Sequence, residues 1–402
     1  MRSIILILVI SVAFSRSEDQ EIDYESLRAE IKSWEHKTVV DLIVEDGYPV
    51  ESHYVTTEDG YILNMHRIPH GLSGKSNGKV AFLQHGVLES SADFLISGPG
   101  RALGYILADE GYDVWLGNFR GNRYSRNHTK LNPNWGAKFW KFDWHEQGII
   151  DLPTMIDYVL KQTGVDAVYY AGHSQGTTSF YVMTSLRPAY NEKIKVHVSL
   201  APIAFMNHMT SPLLRIISWW DGPLDILLGL IGMHEFMPSK IFLTLDSFIC
   251  QGFTKILCEN ALFAIAGFSP AEMNMTLFPK LMAFTPAGAS TRQLLHYAQE
   301  IATVIGHFRQ WDYGPIINLA EYGRTYPPEY PLQKVTAPVY LIYSKNDWLA
   351  AETDVKKLHK HLGNAQGLLL VEDHGFNHLD FLYGINAYKY VYPKVVDIFD
   401  IY

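Results

Sequence analysis

The pentapeptide Gly172-His173-Ser174-Gln175-Gly176 sets a serine between two glycines. An apolar run at 168–171 precedes it, and a helical pattern over 177–186 follows. In that context the serine sits on a tight strand-to-helix turn, where small flanking residues let the backbone bend and the helix approach. The turn exposes the hydroxyl, and the first turn of the helix favours negative charge developing beside it. The chemistry open to such a serine is nucleophilic attack on an acyl carbonyl.

A serine hydroxyl is a weak nucleophile. It needs a base, and the base needs an acid that fixes its tautomer. With the serine on this kind of turn, an acid and then a histidine follow in the chain, each on a loop after a later strand. Asp347 meets the first requirement, in Ser344-Lys345-Asn346-Asp347-Trp348 just past the apolar run 339–343. Asp354 and Asp373 compete with it, although loop aspartates ordinarily cap helices or face water. His374 and His378 compete for the base, both after the run 368–371. His374 stands at the strand end, while His378 lies deeper in the loop, before an apolar helical pattern. Spacing favours His378.

A developing oxyanion needs two prepositioned donors. The N–H of Gln175, directly after the nucleophile, is one candidate. The other comes from the loop after an earlier strand, where Gln84-His85-Gly86-Val87-Leu88 follows the run 80–83. Gly86 allows that loop a close approach, which makes the Val87 N–H the second candidate. His85 contributes there through its position. No metal-ligand spacing occurs in the chain, and this chemistry requires no cofactor.

These loops must be carried by a sheet. Alternating residues at 54–57 and 61–65 flank Glu58-Asp59-Gly60, which predicts an antiparallel hairpin. Short apolar runs then recur at 80–83, 113–116, 167–170, 196–200, 339–343 and 368–371, with helical patterns such as 151–163 between them. That alternation predicts an α/β fold with a mainly parallel sheet covered on both faces. It breaks once, from Pro202 to about Tyr330. A structureless loop of that length is implausible, so an inserted and mostly helical subdomain is expected there. The insertion is rich in large apolar residues, among them Phe205, Met206, Leu213, Leu214, Ile216, Trp219, Trp220, Leu224, Leu227, Leu228 and Met233. Most would pack its own core, and some would line an apolar chamber over the sheet.

Arg2, the apolar stretch 4–14 and the small residues Ala13, Ser15 and Ser17 describe a secretory signal peptide over 1–17. The stretch is too short to span a bilayer. Residues 18–38 read as a charged extension or pro-segment, followed by core at 39–201, insertion at 202–330 and core again at 331–402. Entry into the secretory pathway makes Asn127 and Asn274 glycosylation candidates, each in an Asn-x-Thr sequon. An extracellular destination is expected, with a lysosomal one as the alternative.

The composition excludes other classes. With 48% apolar residues the 402-residue chain can fill a large core, which a disordered chain cannot. Two cysteines are too few for a disulfide scaffold. The chain has 33 basic residues against 42 acidic; without 1–17, which hold Arg2 and Arg16, the balance is 31 against 42 and the net charge −11. That argues against nucleic acid and anionic membranes as partners.

Taken together, the motifs resemble the animal acid-lipase family of α/β-hydrolases, which includes lysosomal acid lipase and gastric lipase. The landmarks run in order from about Val39 to the C-terminus. They begin with Glu58-Asp59-Gly60-Tyr61-Ile62-Leu63, Arg67-Ile68-Pro69, Gln84-His85-Gly86 and Asp113-Val114-Trp115-Leu116-Gly117-Asn118. Arg120-Gly121-Asn122, the serine motif with Thr177-Thr178, and Ser290 after Pro286-Ala287-Gly288 follow. Asn346-Asp347-Trp348-Leu349-Ala350 and Asn377-His378-Leu379-Asp380-Phe381 complete the set. The resemblance implies a Ser174–Asp347–His378 triad, an oxyanion hole at Val87 and Gln175, a cap and lid at 202–330, and a Cys250–Cys258 cap disulfide. It implies hydrolysis of lipid esters, triacylglycerol or cholesteryl ester, at a lipid–water interface.

Departures from the family pattern fall at several positions. Val87 stands for the usual Leu, Phe94 for Trp, and Arg123-Tyr124 for Thr-Trp at the rim. Ala266 stands for a free cysteine of the cap, and the loop between Cys250 and Cys258 is one residue shorter. Two rival readings share these features. A soluble carboxylesterase would carry the same triad without responding to emulsified substrate. A non-catalytic lipid-binding protein would have lost the serine, the acid or the histidine, and all three are present.

Overall fold

In the computed structural model, β1 (Glu51–Thr56) and β2 (Tyr61–Ile68) pair antiparallel across Glu58-Asp59-Gly60, with Thr56 opposite Ile62. The residues described are 24–218, 232–236, 266–267, 269–272, 274, 276–303 and 305–402. The apolar runs become β3 (Val80–Gln84), β4 (Asp113–Gly117), β6 (Val168–His173), β7 (Ile194–Leu200), β10 (Val339–Tyr343) and β11 (Ala365–Leu370). With β5 (Asn127–His128) on β2, they make one nine-stranded sheet in the order β1-β2-β4-β3-β6-β7-β10-β11. From β4 to β11 every neighbouring pair is parallel; β2 joins β4 antiparallel. Strands β3 and β6 are buried along their whole length, as expected where helices cover both faces.

Strand β6 runs beyond the apolar run into the serine motif, because Gly172 and His173 still pair with Ser199 and Leu200 of β7. The helical pattern before it becomes α4 (Leu152–Thr163), stopped by Gly164 in the left-handed conformation. The pattern after it becomes α5 (Gln175–Leu186), buried on nearly all sides. Two helices precede the sheet: α1 (Tyr24–Glu35) and α2 (Val39–Glu45), the latter opened by a capping box between Thr38 and Asp41. Helix α3 (Leu103–Asp109) lies between β3 and β4. Within residues 18–38, Tyr24–Glu35 is helical.

The insertion includes α6 (Pro212–Ser218), α7 (Phe278–Phe284), α8 (Thr291–Ala302) and α9 (Pro315–Tyr322). It also has a small antiparallel pair, β8 (Glu235–Phe236) with β9 (Ala289–Ser290), which the apolar pattern does not announce because each strand is two residues long. Helix α1 packs against α7, with the Lys280 ammonium 5.1 Å from the centre of the Trp34 ring. Phe205 and Met206 do not form a separate cap core; they join the main hydrophobic cluster. Trp219, Trp220, Leu224, Leu227, Leu228, Cys250 and Cys258 lie outside the described residues, as does the 1–17 segment. Helices α10 (Glu352–His361) and α11 (Tyr392–Ile401) complete the chain.

Candidate active site

Strand β6 ends at His173 and α5 begins at Gln175, so Ser174 alone forms the turn, at φ 50° and ψ −118°. Such a conformation costs a non-glycine residue about 1–3 kcal/mol. Local bonds hold it: the Ser174 N–H donates to the Leu200 carbonyl at 3.0 Å, and the Ser174 carbonyl accepts the Thr177 N–H at 2.9 Å and the Thr177 hydroxyl at 2.6 Å. Two glycines make room. A Cβ on Gly176 would sit 2.3 Å from the Gln84 carbonyl oxygen, and one on Gly86 would sit 2.9 Å from the Ser174 Cβ. The turn and the loop after β3 are therefore in direct contact.

The loops after β10 and β11 bring the other two groups. His378 Nδ1 lies 2.8 Å from Asp347 Oδ2 and 3.0 Å from Oδ1, and its Nε2 lies 2.8 Å from Ser174 Oγ. An ionised carboxylate only accepts, so Nδ1 carries the proton and the Nε2 lone pair faces the serine hydroxyl. Asp347 also accepts the N–H groups of Leu349 and Ala350, each at 2.8 Å, which fixes it without neutralising it. All three residues are buried, Ser174 at 6% exposure.

The base loop is braced internally and from the insertion. Asn377 Oδ1 accepts the Leu379 and Asp380 N–H groups, and the Asn377 N–H donates to Asp380 at 2.7 Å. Burial pushes the Asp380 carboxyl up to about 7. The Ala266 carbonyl accepts N–H groups from Trp348 at 3.2 Å and His378 at 3.4 Å, and the Gly267 carbonyl accepts the Asn377 amide at 2.8 Å. This backbone bridge joins the acid loop to the base loop. Sequence reasoning missed it, because a backbone carbonyl leaves no signature in residue type.

The candidate oxyanion loop forms a turn in which the Glu89 N–H reaches the Gly86 carbonyl at 3.4 Å, with Leu88 at φ 64°. Gln175 opens α5, so its N–H has no partner within the helix. The Val87 N–H enters no hydrogen bond found among the described residues. His85 Nε2 accepts the Phe119 N–H at 3.1 Å, so its Nδ1 donates to the Gly86 carbonyl at 2.7 Å. Burial pushes its ring down to about 4, and it stays neutral. Its role is to hold the loop.

One charged pair beside the site was not singled out in the sequence. The Glu89 carboxylate lies 2.9 Å from His173 Nδ1 and accepts the Gly86 N–H at 2.5 Å. An acid two residues past Val87, in an otherwise small and apolar loop, was the available signal. Burial opposes both charges, but each partner's charge outweighs it: Glu89 is held below the usual carboxylate range and His173 above the usual histidine value.

Competing candidates do not join the site. His374 is exposed, Asp373 accepts the Gly375 N–H at 2.7 Å, and Asp354 pairs with His208 at 2.6 Å. A second serine–histidine contact, Ser91 with His66 at 2.8 Å, has no carboxylate behind the ring, which burial pushes down to about 4. At the rim, Arg123 donates to the Ala283 carbonyl at 2.7 Å, tying the altered Arg123-Tyr124 pair to the end of α7. Among the described residues no cluster of His, Cys, Asp or Glu could hold a metal ion. None of their helices is long and apolar enough to cross a membrane. Asn127 is exposed and Asn274 half-buried.

Residues 39–98 match the family model of a partial α/β-hydrolase lipase region, and residues 81–223 match that of the α/β-hydrolase fold. The chain is 46% identical over 359 residues to Lipase 3 of Drosophila melanogaster, covering 88% of this chain and 90% of that one. It is 37% identical over 361 residues to gastric triacylglycerol lipase of Rattus norvegicus, covering 88% and 89%. A solved candidate lipase from Sulfolobus solfataricus superposes with a TM-score of 0.57 at 14% identity, covering 88% of this chain and 94% of that one. That last likeness is one of fold.

Proposed function

The chain belongs to the lipases of the α/β-hydrolase superfamily, and on that premise we propose that it hydrolyses triacylglycerol at a lipid–water interface through an acyl-enzyme on Ser174. The observation that carries the reading is the unbroken series from Asp347 through His378 to the Ser174 hydroxyl, 2.8 Å at each step. His378 Nε2 takes the hydroxyl proton as Oγ attacks the ester carbonyl. Asp347 keeps Nδ1 protonated and stabilises the imidazolium that forms. The oxyanion is received by the N–H groups of Val87 and Gln175. Collapse expels the alcohol, which leaves with the proton from Nε2. Water then attacks the acyl-enzyme, with His378 again as base, and releases the fatty acid.

Triacylglycerol, rather than another ester, is favoured by the likeness to the rat gastric triacylglycerol lipase. Contact with the lipid surface is hydrophobic and comes through the insertion, since a chain carrying 33 basic against 42 acidic residues has no electrostatic pull toward anionic lipid. The apolar 4–14 stretch supports removal of 1–17 and passage through the secretory pathway, with glycans on Asn127 and Asn274 and a Cys250–Cys258 bridge.

The test uses purified secreted protein on emulsified triacylglycerol. Wild type is expected to speed up as substrate passes from monomeric to emulsified, and Ser174→Ala to lose about 10⁴-fold or more in kcat while staying folded. Turnover that ignores emulsification makes the chain a soluble esterase. Near-normal turnover by Ser174→Ala removes the mechanism.

A further inference from the structure

Both nitrogens of His173 face oxygen. Nδ1 lies 2.9 Å from Glu89 Oε1, and Nε2 lies 3.0 Å from the backbone carbonyl of His378. A carbonyl only accepts, and so does an ionised carboxylate, so the ring donates from both nitrogens. The far oxygen of Glu89 accepts the Gly86 N–H. One series of bonds therefore runs from the oxyanion turn, through Glu89 and His173, to the backbone of the candidate base. Glu89, His173 and His378 are all buried, at 5%, 0% and 2% exposure, so solvent offers these donors no substitute partners.

The turn so held is the one that aims Val87. Gly86 and Glu89 are its ends, Val87 and Leu88 its middle, and Leu88 sits at φ 64°, where a branched side chain is strained. Without a brace, relief of that strain reshapes the turn that carries the Val87 N–H. The Ala287 N–H, donating to the Leu88 carbonyl at 2.6 Å, braces the turn from the insertion side. Glu89 and His173 brace it from the side of the nucleophile.

We propose that Glu89 and His173 are positioning residues for ester hydrolysis, locking the oxyanion turn and the backbone of His378 to the two sides of Ser174. The role rests on the reading of Ser174 and His378 given above. Neither residue touches the reacting atoms; they act through the Gly86 N–H and the His378 carbonyl. A misaimed oxyanion donor raises the barrier of the chemical step and leaves the binding of the acyl chain largely alone.

The experiment measures kcat and KM separately on a soluble short-chain p-nitrophenyl ester. Glu89→Met keeps the length of the side chain and removes the acceptor. It is expected to lower kcat on the order of 10- to 100-fold with KM changed less than about threefold. Glu89→Gln keeps an oxygen for the Gly86 N–H and an amide toward a neutral His173, and is expected to recover most of that loss. His173→Leu reports from the other end of the series, with the same kcat loss expected, and decides the matter if Glu89→Met does not fold. Unchanged kcat in the folded variants, a loss carried by KM alone, or equal losses in Glu89→Met and Glu89→Gln would overturn the proposal. Ser174→Ala is run in parallel. If it still turns over, the catalytic reading itself has failed; if it is inactive while Glu89→Met keeps wild-type kcat, only the positioning role has failed.

Discussion

At the scale of single residues, the division of labour follows from what each side chain can accept or donate. Asp347 accepts two backbone N–H groups and faces Nδ1 of the His378 ring, an arrangement that holds one tautomer. Asp347→Asn turns that relation around, because an amide facing Nδ1 can leave the ring protonated on the wrong nitrogen. We expect kcat to fall by about 10³–10⁴ with KM little changed, as read from steady-state kinetics on a short-chain ester. The sequence already pointed to these residues: Ser174, Asp347 and His378, which spacing favoured, stand in series at 2.8 Å per step. What decided between His378 and His374 was depth: one is buried against the serine, the other exposed. The Glu89–His173 pair was not legible, because 84 residues separate two groups that only the β3–β6 pairing brings together.

Elements fix how firmly these residues are held. Part of the insertion is bolted to the core: Asp143, which caps the short helical turn Trp144–Glu146 and is 1% exposed, pairs with Arg292 at 3.1 Å and His296 at 2.9 Å, both on α8. The Ser290 hydroxyl at the start of α8 donates to the Trp140 carbonyl, and Arg126 pairs with Glu235 of β8. Removing one partner of a buried ion pair costs about 3–5 kcal/mol, since the other charge is left without compensation. Asp143→Ala is accordingly expected to lower the unfolding free energy read from denaturant titration by an amount of that order, whereas a loss under about 1 kcal/mol would show that α8 is not anchored there. The longer strands were predictable from short apolar runs, with limits that shifted by up to three residues, whereas the two-residue strands β5, β8 and β9 were not. The clamp was not, because Arg292 and His296 face inward through charge partners rather than through an apolar stripe. The Ala266 bridge between the loops that carry Asp347 and His378 belongs to the same class of long-range contact.

For the whole molecule, the buried carboxyls set a pH preference. Burial pushes Asp380 and Glu146 up to about 7, and Asp93 up to about 6 with the Glu89 charge adding to it. Their unfolded values lie near about 4. Between those limits the folded chain holds protons that the unfolded chain has released, so stability falls as pH rises through the window. His173 acts in the same sense, because its raised value adds stability that is lost as pH climbs through it. Asp143, held well below the carboxylate range despite burial by its His296 and Arg292 partners, withdraws stability only in stronger acid. Burial holds the His66 and His85 rings down to about 4, which acts in the opposite sense below pH 6.5. The carboxyl contribution is therefore read by difference: the unfolding temperature of Asp380→Asn relative to wild type is expected to rise from pH 5.5 to pH 7.5, and a difference that does not rise would contradict the Asp380 assignment. None of this was visible in the net charge of −9, which counts groups without regard to burial. The central claim concerns one atom, the Ser174 Oγ, and covalent labelling reaches it most directly. After reaction with a fluorophosphonate, peptide mass mapping should find a single adduct on Ser174, with lipolysis lost in proportion to labelling. An adduct on another serine, or full activity with Ser174 occupied, would contradict the account.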